Sequence, residues 1–152
     1  MNSLQSNSVK IIPTEGDTQS WSASINVPLS DSSYALVIRN FNADVKLESI
    51  YAANTQSKVV IFKLIRVLPD DLTYVNPGLV YEFDSVEIEK DITNVVISGS
   101  AVPVFSSCLK GDVSVPTLNL KLLPGYDYLL HVDNLNASGA VDFNYAFNWR
   151  VL

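Results

Sequence analysis

The feature that most constrains this 152-residue chain is a strict two-residue alternation of apolar and polar side chains. The alternation is clearest near the C-terminus, where every second residue is aromatic or aliphatic: Phe143, Tyr145, Phe147, Trp149 and Val151. Successive side chains of a β-strand point to opposite faces, so this pattern predicts a strand with one buried and one polar face. Residues 20–27 and 86–89 show the same alternation.

Further segments of strand-like composition recur about every ten residues. They are 9–12, 34–41, 45–52, 58–68, 79–83, 92–98, 117–123 and 126–133. Turn residues such as Asn76-Pro77-Gly78 and Pro124-Gly125 separate them, and no window of ten residues carries a helical stripe. We therefore expect an all-β, antiparallel β-sandwich of about ten strands. An immunoglobulin-like sandwich has about seven to nine strands, so a jelly roll is the better fit.

The length predicts a single domain over residues 1–152, because domains usually comprise about 100–200 residues. No internal repeat or linker divides the chain. Its polar start, residues 1–10, is expected to be either an arm that contacts a partner or an ordinary first strand.

Segment 58–68 is apolar on both of its faces. One face carries Val59, Ile61 and Ile65, and the other carries Val60, Phe62, Leu64 and Leu68. On an open sheet edge such a segment would promote aggregation, so it should be a central strand. Its second face must be covered by a loop or by a neighbouring subunit, and the second alternative indicates a homo-oligomer.

Residues Gly99–Pro116 read as a long connection, because they contain Pro103, Gly111 and Pro116. Long connections are usually functional or bound to a partner, although this one could simply pack over an end of the sandwich. We expect it to expose an interface, to which the N-terminal arm would add one residue. The predicted interface residues are Val102, Val104, Phe105, Leu109 and Leu4.

Charge and composition exclude several classes of partner. The net charge is −6, and the ten basic residues are scattered, which argues against nucleic acid and against anionic membranes. The N-terminus lacks the pattern of a secretory signal, and no apolar stretch approaches the ~20 residues that span a bilayer. With Cys108 as its single cysteine, the chain fits a reducing compartment, and we expect it to be made in the cytosol.

The residues that could carry chemistry do not form a recognisable motif. His131 shares a strand face with Asp127 and Asp133, but a hydrolase would also need a nucleophile such as Ser138, and no Gly-x-Ser-x-Gly elbow is present. One histidine and one cysteine are too few for a zinc site, and the aspartates lack the spacing of a calcium loop. We expect no enzymatic activity, metal or cofactor, and a hydrolase is the least favoured of three hypotheses.

Two further groups of residues have simple interpretations. The carboxylates Glu87 and Glu89 are interpreted as a solvated acidic strand face. Trp21 and Trp149 occupy inward positions of their strands and are expected in the core. Three tyrosines could instead be exposed and stack on a sugar: Tyr74, Tyr81 and Tyr126.

The C-terminal part of the chain resembles bacteriophage virion proteins. The resemblance lies in residues 123–135, with the pattern Tyr-Leu-x-x-Val-x-Asn from Tyr128 to Asn134 after a small turn, and in the closing strand that ends in Asn148-Trp149-Arg150. It covers roughly the last 30 residues. It implies a jelly roll or related sandwich in a capsid decoration, minor capsid, head-fibre, neck or tail protein, and it carries no catalytic residues.

Our first hypothesis is therefore a non-enzymatic structural component of a phage particle, made in the host cytoplasm and located in the virion. It would assemble with other virion proteins and as a homo-oligomer. The alternative hypothesis is a carbohydrate-binding module or lectin-like receptor binder, for which a glycan is the partner.

Overall fold

The computed structural model describes residues 7–10, 18–28, 32–40, 43–54, 58–76, 78–83, 86–110, 113–114, 117–136 and 139–152. Within these ranges the chain forms fourteen strands and a short 3₁₀ turn at Pro69–Asp71. The strands are β1 (Asn7–Lys10), β2 (Gln19–Val27), β3 (Ser32–Asn40), β4 (Val45–Asn54), β5 (Val59–Val67), β6 (Leu72–Val75), β7 (Leu79–Glu82), β8 (Val86–Lys90), β9 (Thr93–Ile97), β10 (Ala101–Lys110), β11 (Val113–Ser114), β12 (Thr117–Leu122), β13 (Asp127–Asn134) and β14 (Val141–Val151).

Eight of these strands form two antiparallel sheets in jelly-roll order. One sheet, here called the β14 sheet, has the order β2–β14–β4–β12, with β11 also on β4. The other, the β13 sheet, contains the order β3–β13–β5–β10. The chain passes from one sheet to the other after each of these strands except between β5 and β10, which gives two interlocked Greek keys. The predicted antiparallel sandwich is confirmed.

The strands that the sequence did not predict are β6, β10 and β11. Strand β6 belongs, with β7, β8 and β9, to an insert between β5 and β10. Within this insert, β7 and β8 extend the β13 sheet beyond β3, and β1 adds to β7 in parallel. Part of the predicted N-terminal arm is thus a first strand. The remaining two strands, β6 and β9, pair with each other in a separate two-stranded antiparallel sheet. We call this sheet the covering hairpin, although β7 and β8 lie between its two strands in the chain.

The main core lies between the two large sheets. The alternating residues of β14 point into it, and both tryptophans are buried there, as predicted. Aromatic rings form a continuous row along β14, with centroid separations of 5.9 Å between Phe143 and Tyr145 and 5.8 Å between Tyr145 and Phe147. An interior void of about 10 Å³ beside Phe147 has room for about one water molecule and for no organic ligand.

Strand β5 is buried on both sides, but by two different layers. Val60, Phe62 and Leu64 enter the main core. On the opposite face, Val67 is buried and Ile65 packs in a second apolar cluster, which the covering hairpin closes. The buried residues of that cluster are Val37, Val67, Leu72, Ile92 and Leu129. The sequence allowed this face to be covered by a loop of the same chain or by a neighbouring subunit. For this part of β5, the chain itself supplies the cover. Leu68, which the sequence pattern places on the same face as Phe62 and Leu64, is exposed.

Buried asparagines fasten one end of the sandwich. The side-chain nitrogen of Asn134 lies 3.2, 3.1 and 3.1 Å from the carbonyl oxygens of Val27, Pro28 and Gly139. Its side-chain oxygen accepts hydrogen bonds from Asn136, whose own side chain bonds both backbone groups of Val59. This network ties the ends of β2, β5 and β13 to the segment that leads into β14.

Adjacent residues on β13 test whether the covering hairpin is closed in solution. Leu129 faces the hairpin and Leu130 faces the main core, and both are fully buried. We expect Leu129→Ala and Leu130→Ala each to lower the free energy of unfolding by about 2–5 kcal/mol, as measured by urea denaturation. Leu135→Ala, at an exposed position, is the control and should change little. A much smaller effect for Leu129→Ala than for Leu130→Ala would show that the hairpin leaves this face open.

Candidate functional site

Four of the five predicted interface residues, Val102, Val104, Phe105 and Leu109, lie on a regular strand rather than in a loop. Residues 101–110 of the expected connection form β10, the last strand on one side of the β13 sheet. A bulge between Pro103 and Phe105 interrupts its pairing with β5. Bulges and prolines are typical protections of an edge strand against uncontrolled pairing with other strands. The prediction of a loop was wrong because β5 pairs in register with nine residues of this segment, which composition alone does not reveal.

Only part of the predicted interface is exposed. Val102 is on the surface, whereas Val104 and Phe105 pack against the main core, Phe105 with its ring centroid 6.0 Å from that of Phe62. Leu109 is buried in the core, whereas an interface residue would have to be exposed. Leu4 lies outside the described residues. Cys108, on the same strand, is exposed.

Exposed aliphatic side chains concentrate on the insert and its borders. Among the described residues, the exposed large apolar side chains are Val9, Leu68, Val75, Val96, Val102, Leu135 and Leu152. Four of them, which we call the insert residues, fall between positions 68 and 102: Leu68, Val75, Val96 and Val102.

The insert residues occur as two nearby pairs. On the covering hairpin, Val96 stands opposite Thr73 in register, and Val75 is two residues further along that strand. At the border of the insert, Val102 stands opposite Arg66 in register, and Leu68 is two residues beyond Arg66. Sequence reasoning identified Val102 and missed the other three, because burial on a hairpin depends on which face its partner covers.

A buried polar cluster fastens the covering hairpin to the β13 sheet. Glu89 on β8 is only 7% exposed. Its carboxylate accepts a short hydrogen bond from the hydroxyl of Tyr74 and one of 2.9 Å from the amide of Asn76. Burial and the hydrogen bond to Glu89 raise the pKa of Tyr74 well above its usual value, so this hydroxyl remains a donor. The expectation that Glu89 is solvated was wrong, because the hairpin covers it.

Charged residues form a row beside this cluster. Arg39 on β3 stands between Glu87 on β8 and Asp127 on β13, and its Nε lies 3.6 Å from an Asp127 carboxylate oxygen. Burial raises the pKa of Asp127, and Arg39 partly offsets that effect. Burial and the nearby Glu89 raise the pKa of Glu87, again against Arg39. Glu87 and Asp127 flank Arg39 within the β13 sheet, whereas Glu89 bonds to Tyr74 and Asn76 of the covering layer.

His131 lies on the same sheet face, away from that row. Its Nδ1 is 3.6 Å from a carboxylate oxygen of Asp133, and its ring centroid is 4.8 Å from that of Tyr34. Burial lowers the pKa of His131, with Asp133 acting in the opposite direction and Lys63 reinforcing the decrease. The sequence correctly placed His131 and Asp133 on one face. Asp127 is bound to Arg39 instead, and Ser138 lies outside the described residues.

Neither a metal-binding cluster nor a membrane-spanning helix is found in the described segments. They contain no group of three or more His, Cys, Asp or Glu side chains arranged to hold a metal ion. They also contain no helix with the length and apolar character that a membrane crossing requires.

The three tyrosines considered for sugar stacking are each half-buried. Tyr74 bonds Glu89, Tyr81 packs edge-on against Trp21 with centroids 5.2 Å apart, and Tyr126 lies under the guanidinium of Arg66 at 4.9 Å. A fourth tyrosine, Tyr51, lies on the outer face of the β14 sheet beside an open groove, and sequence reasoning did not select it.

Comparisons with known proteins find only weak similarities to solved structures. No family model and no curated protein sequence matches the chain. Among solved structures, PirA has 8% identity and a TM-score of 0.48 over 84% of this chain and 92% of its own. The Yersinia pseudotuberculosis-derived mitogen has 8% identity and a TM-score of 0.41 over 90% of this chain and 87% of its own. An infectious bursal disease virus structure has 11% identity and a TM-score of 0.24 over 90% of this chain and 41% of its own. Likenesses this weak carry no inference about function.

Removing one hydroxyl tests the fastening of the hairpin. Tyr74→Phe leaves the buried Glu89 carboxylate with a single described side-chain donor, Asn76. Loss of a hydrogen bond to a buried charged group costs about 1–3 kcal/mol, so the variant should unfold at lower urea concentration. Tyr34→Phe is the matched control, because the Tyr34 ring contacts His131 while its hydroxyl bonds no described residue. Equal stability of the two variants would contradict the role of Tyr74.

The raised pKa of Glu87 predicts a pH-dependent effect. A carboxyl whose pKa is higher in the folded state binds its proton more tightly there, so the folded state loses stability as pH rises through that pKa. Glu87→Gln removes this loss. The melting temperature of Glu87→Gln should match that of the wild type near pH 4 and exceed it at pH 7. The gain in the free energy of unfolding at pH 7 should be no more than about 1 kcal/mol, because Glu87 is partly solvated. A variant that is less stable than wild type at pH 7 would show that the attraction of Arg39 dominates.

Proposed function

We propose that this protein is a non-enzymatic structural component of a phage particle that works through protein–protein assembly. The observation that carries the proposal is the concentration of exposed aliphatic side chains on the insert, Leu68, Val75, Val96 and Val102. Apolar surface held on a rigid sheet favours association, because burying it releases water. The jelly-roll strand order and the phage-like C-terminal pattern support a role in the virion.

In this proposal the covering hairpin and the start of β10 dock on other copies of the chain or on neighbouring virion proteins. A stable contact would bury about 1,200–2,000 Å² in total, more than the insert residues alone provide. The polar rim around them would therefore take part. The network of Tyr74, Asn76 and Glu89 supports docking by holding the hairpin in one position, which lowers the entropy lost on association.

Light scattering at several concentrations tests self-assembly. We expect the purified protein to have the mass of a closed oligomer, and the double variant Val75→Asp/Val96→Asp to be monomeric with an unchanged melting temperature. Leu135→Asp, an equally exposed leucine outside the insert, is the control and should keep the oligomer. A monomeric wild type, or an oligomer that survives the double variant, would reject the insert as a contact between copies.

Association with a particle is tested separately. When a lysate of phage-producing cells that express the chain is banded on a density gradient, the wild type should migrate with intact particles. The Val75→Asp/Val96→Asp variant should remain in the soluble fraction. If the wild type also stays in the soluble fraction, the virion role is wrong.

The second candidate function is carbohydrate binding. The observation that favours it is an open groove on the outer face of the β14 sheet, with Lys90 of β8 as its one charged lining residue.

A further inference from the structure

The outer face of the β14 sheet holds an open groove of about 480 Å³. The side chains that β2, β4 and β14 direct to this face are Ser22 and Ser24, Tyr51, and Asn144 and Ala146. In register, Ser22, Ala146 and Tyr51 form one row across the three strands, and Ser24 and Asn144 begin the next. Small residues around a tyrosine leave the space that forms the groove.

The rows on either side of the groove form contacts between their own side chains. On one side Asn26 donates a 2.7 Å hydrogen bond to Asp142. On the other side Asn148 donates a 2.7 Å hydrogen bond to Ser49, and Arg150 lies 3.2 Å from Glu48.

The groove residues differ from both flanking rows. Within the described chain, the side chains of Ser22, Ser24, Tyr51 and Asn144 bond no other side chain. Hydroxyl and amide groups that could each donate and accept hydrogen bonds thus converge on one depression.

From this arrangement we propose that the groove binds a neutral sugar, with the Tyr51 ring against the apolar face of the pyranose. Ligand sites typically combine an aromatic or apolar surface with a few convergent polar groups, and Tyr51, Ser22, Ser24 and Asn144 provide both. The proposal deepens the second candidate function and uses none of the four insert residues, although Lys90 of β8 borders the groove.

Charge argues for a neutral ligand. Lys90 is the charged residue that lines the groove, and its ammonium lies 3.7 Å from a carboxylate oxygen of Asp91, which compensates it. The chain as a whole carries a net charge of −6, which disfavours an acidic ligand.

The surface also fits a sugar better than a protein. Protein interfaces depend on large apolar or aromatic anchors, and none of the exposed large aliphatic side chains of the described residues belongs to β2, β4 or β14.

The experiment screens the purified full chain on an array of neutral oligosaccharides built from glucose, galactose, mannose and N-acetylglucosamine. A soluble form of the best ligand is then titrated while amide NMR shifts are recorded. We expect shifts centred on Ser22, Tyr51 and Asn144. Tyr51→Ala should weaken binding at least about tenfold, since it removes both the stacking surface of the ring and the apolar area that the sugar would bury. Tyr51→Phe should retain most of the affinity.

A second variant keeps the test decisive if Tyr51→Ala folds poorly. Ser24→Leu fills the groove from an exposed position and should abolish binding, whereas Ser106→Leu, an exposed serine on β10, should not. Absence of binding to every arrayed sugar, or shifts that map away from the groove, would overturn the proposal.

The mass of the Ser24→Leu variant in solution shows whether the groove is a sugar site or a contact between copies of the chain. It should equal that of the wild type, because the groove is distinct from the insert residues. A smaller mass would identify the groove as a contact between copies of the chain and would overturn the sugar site while leaving the virion role open.

Discussion

The need to bury both faces of β5 governs the architecture. Phe62 and Leu64 fill the main core from one face, and Val67 requires a second apolar layer on the other. The chain provides that layer with the insert between β5 and β10, whose covering hairpin encloses Leu129 and Val37. Covering that sheet face also buries polar groups of β8, and burying a carboxylate is costly unless it is hydrogen-bonded. The bonds from Tyr74 and Asn76 to Glu89 meet that requirement and hold the hairpin in place.

This cover makes the two large sheets unequal. The β13 sheet has a third layer over part of its outer face, and that layer presents Val75 and Val96 to solvent. The β14 sheet has no such layer among the described residues, and the middle of its outer face carries serine, asparagine, alanine and Tyr51. The two proposed activities therefore use different side chains, the insert residues for assembly and the groove residues for sugar binding, with Lys90 of β8 at the border of the groove. One sandwich could support both without competition between the ligands.

Sequence reasoning succeeded where a residue's position follows from its own strand. The alternation in 143–151 placed Phe147 and Trp149 in the core, and the inward register of Trp21 was also right. It failed where burial depends on distant segments. The sequence predicts Leu109 as an exposed loop residue, yet it pairs in register with Val60 of β5 and enters the core. Glu89 alternates with Ile88 like a solvent-facing residue, and it is buried only because the covering hairpin, with Tyr74 15 residues earlier in the chain, packs over it. The Tyr51 groove carries no local signal, because its residues come from four strands far apart in sequence.

The sequence by itself determined that the chain forms strands, that they pack as an antiparallel sandwich, and which face of most strands is apolar. These properties follow from a two-residue period that each segment carries internally. The tertiary structure alone decided the pairing order of the strands, the cover over the second face of β5, and the convergence of Ser22, Ser24, Tyr51 and Asn144. Strand pairing joins residues such as Tyr51 and Ala146 that are distant in the chain. Its energy depends on the complementarity of whole faces, which no single segment encodes.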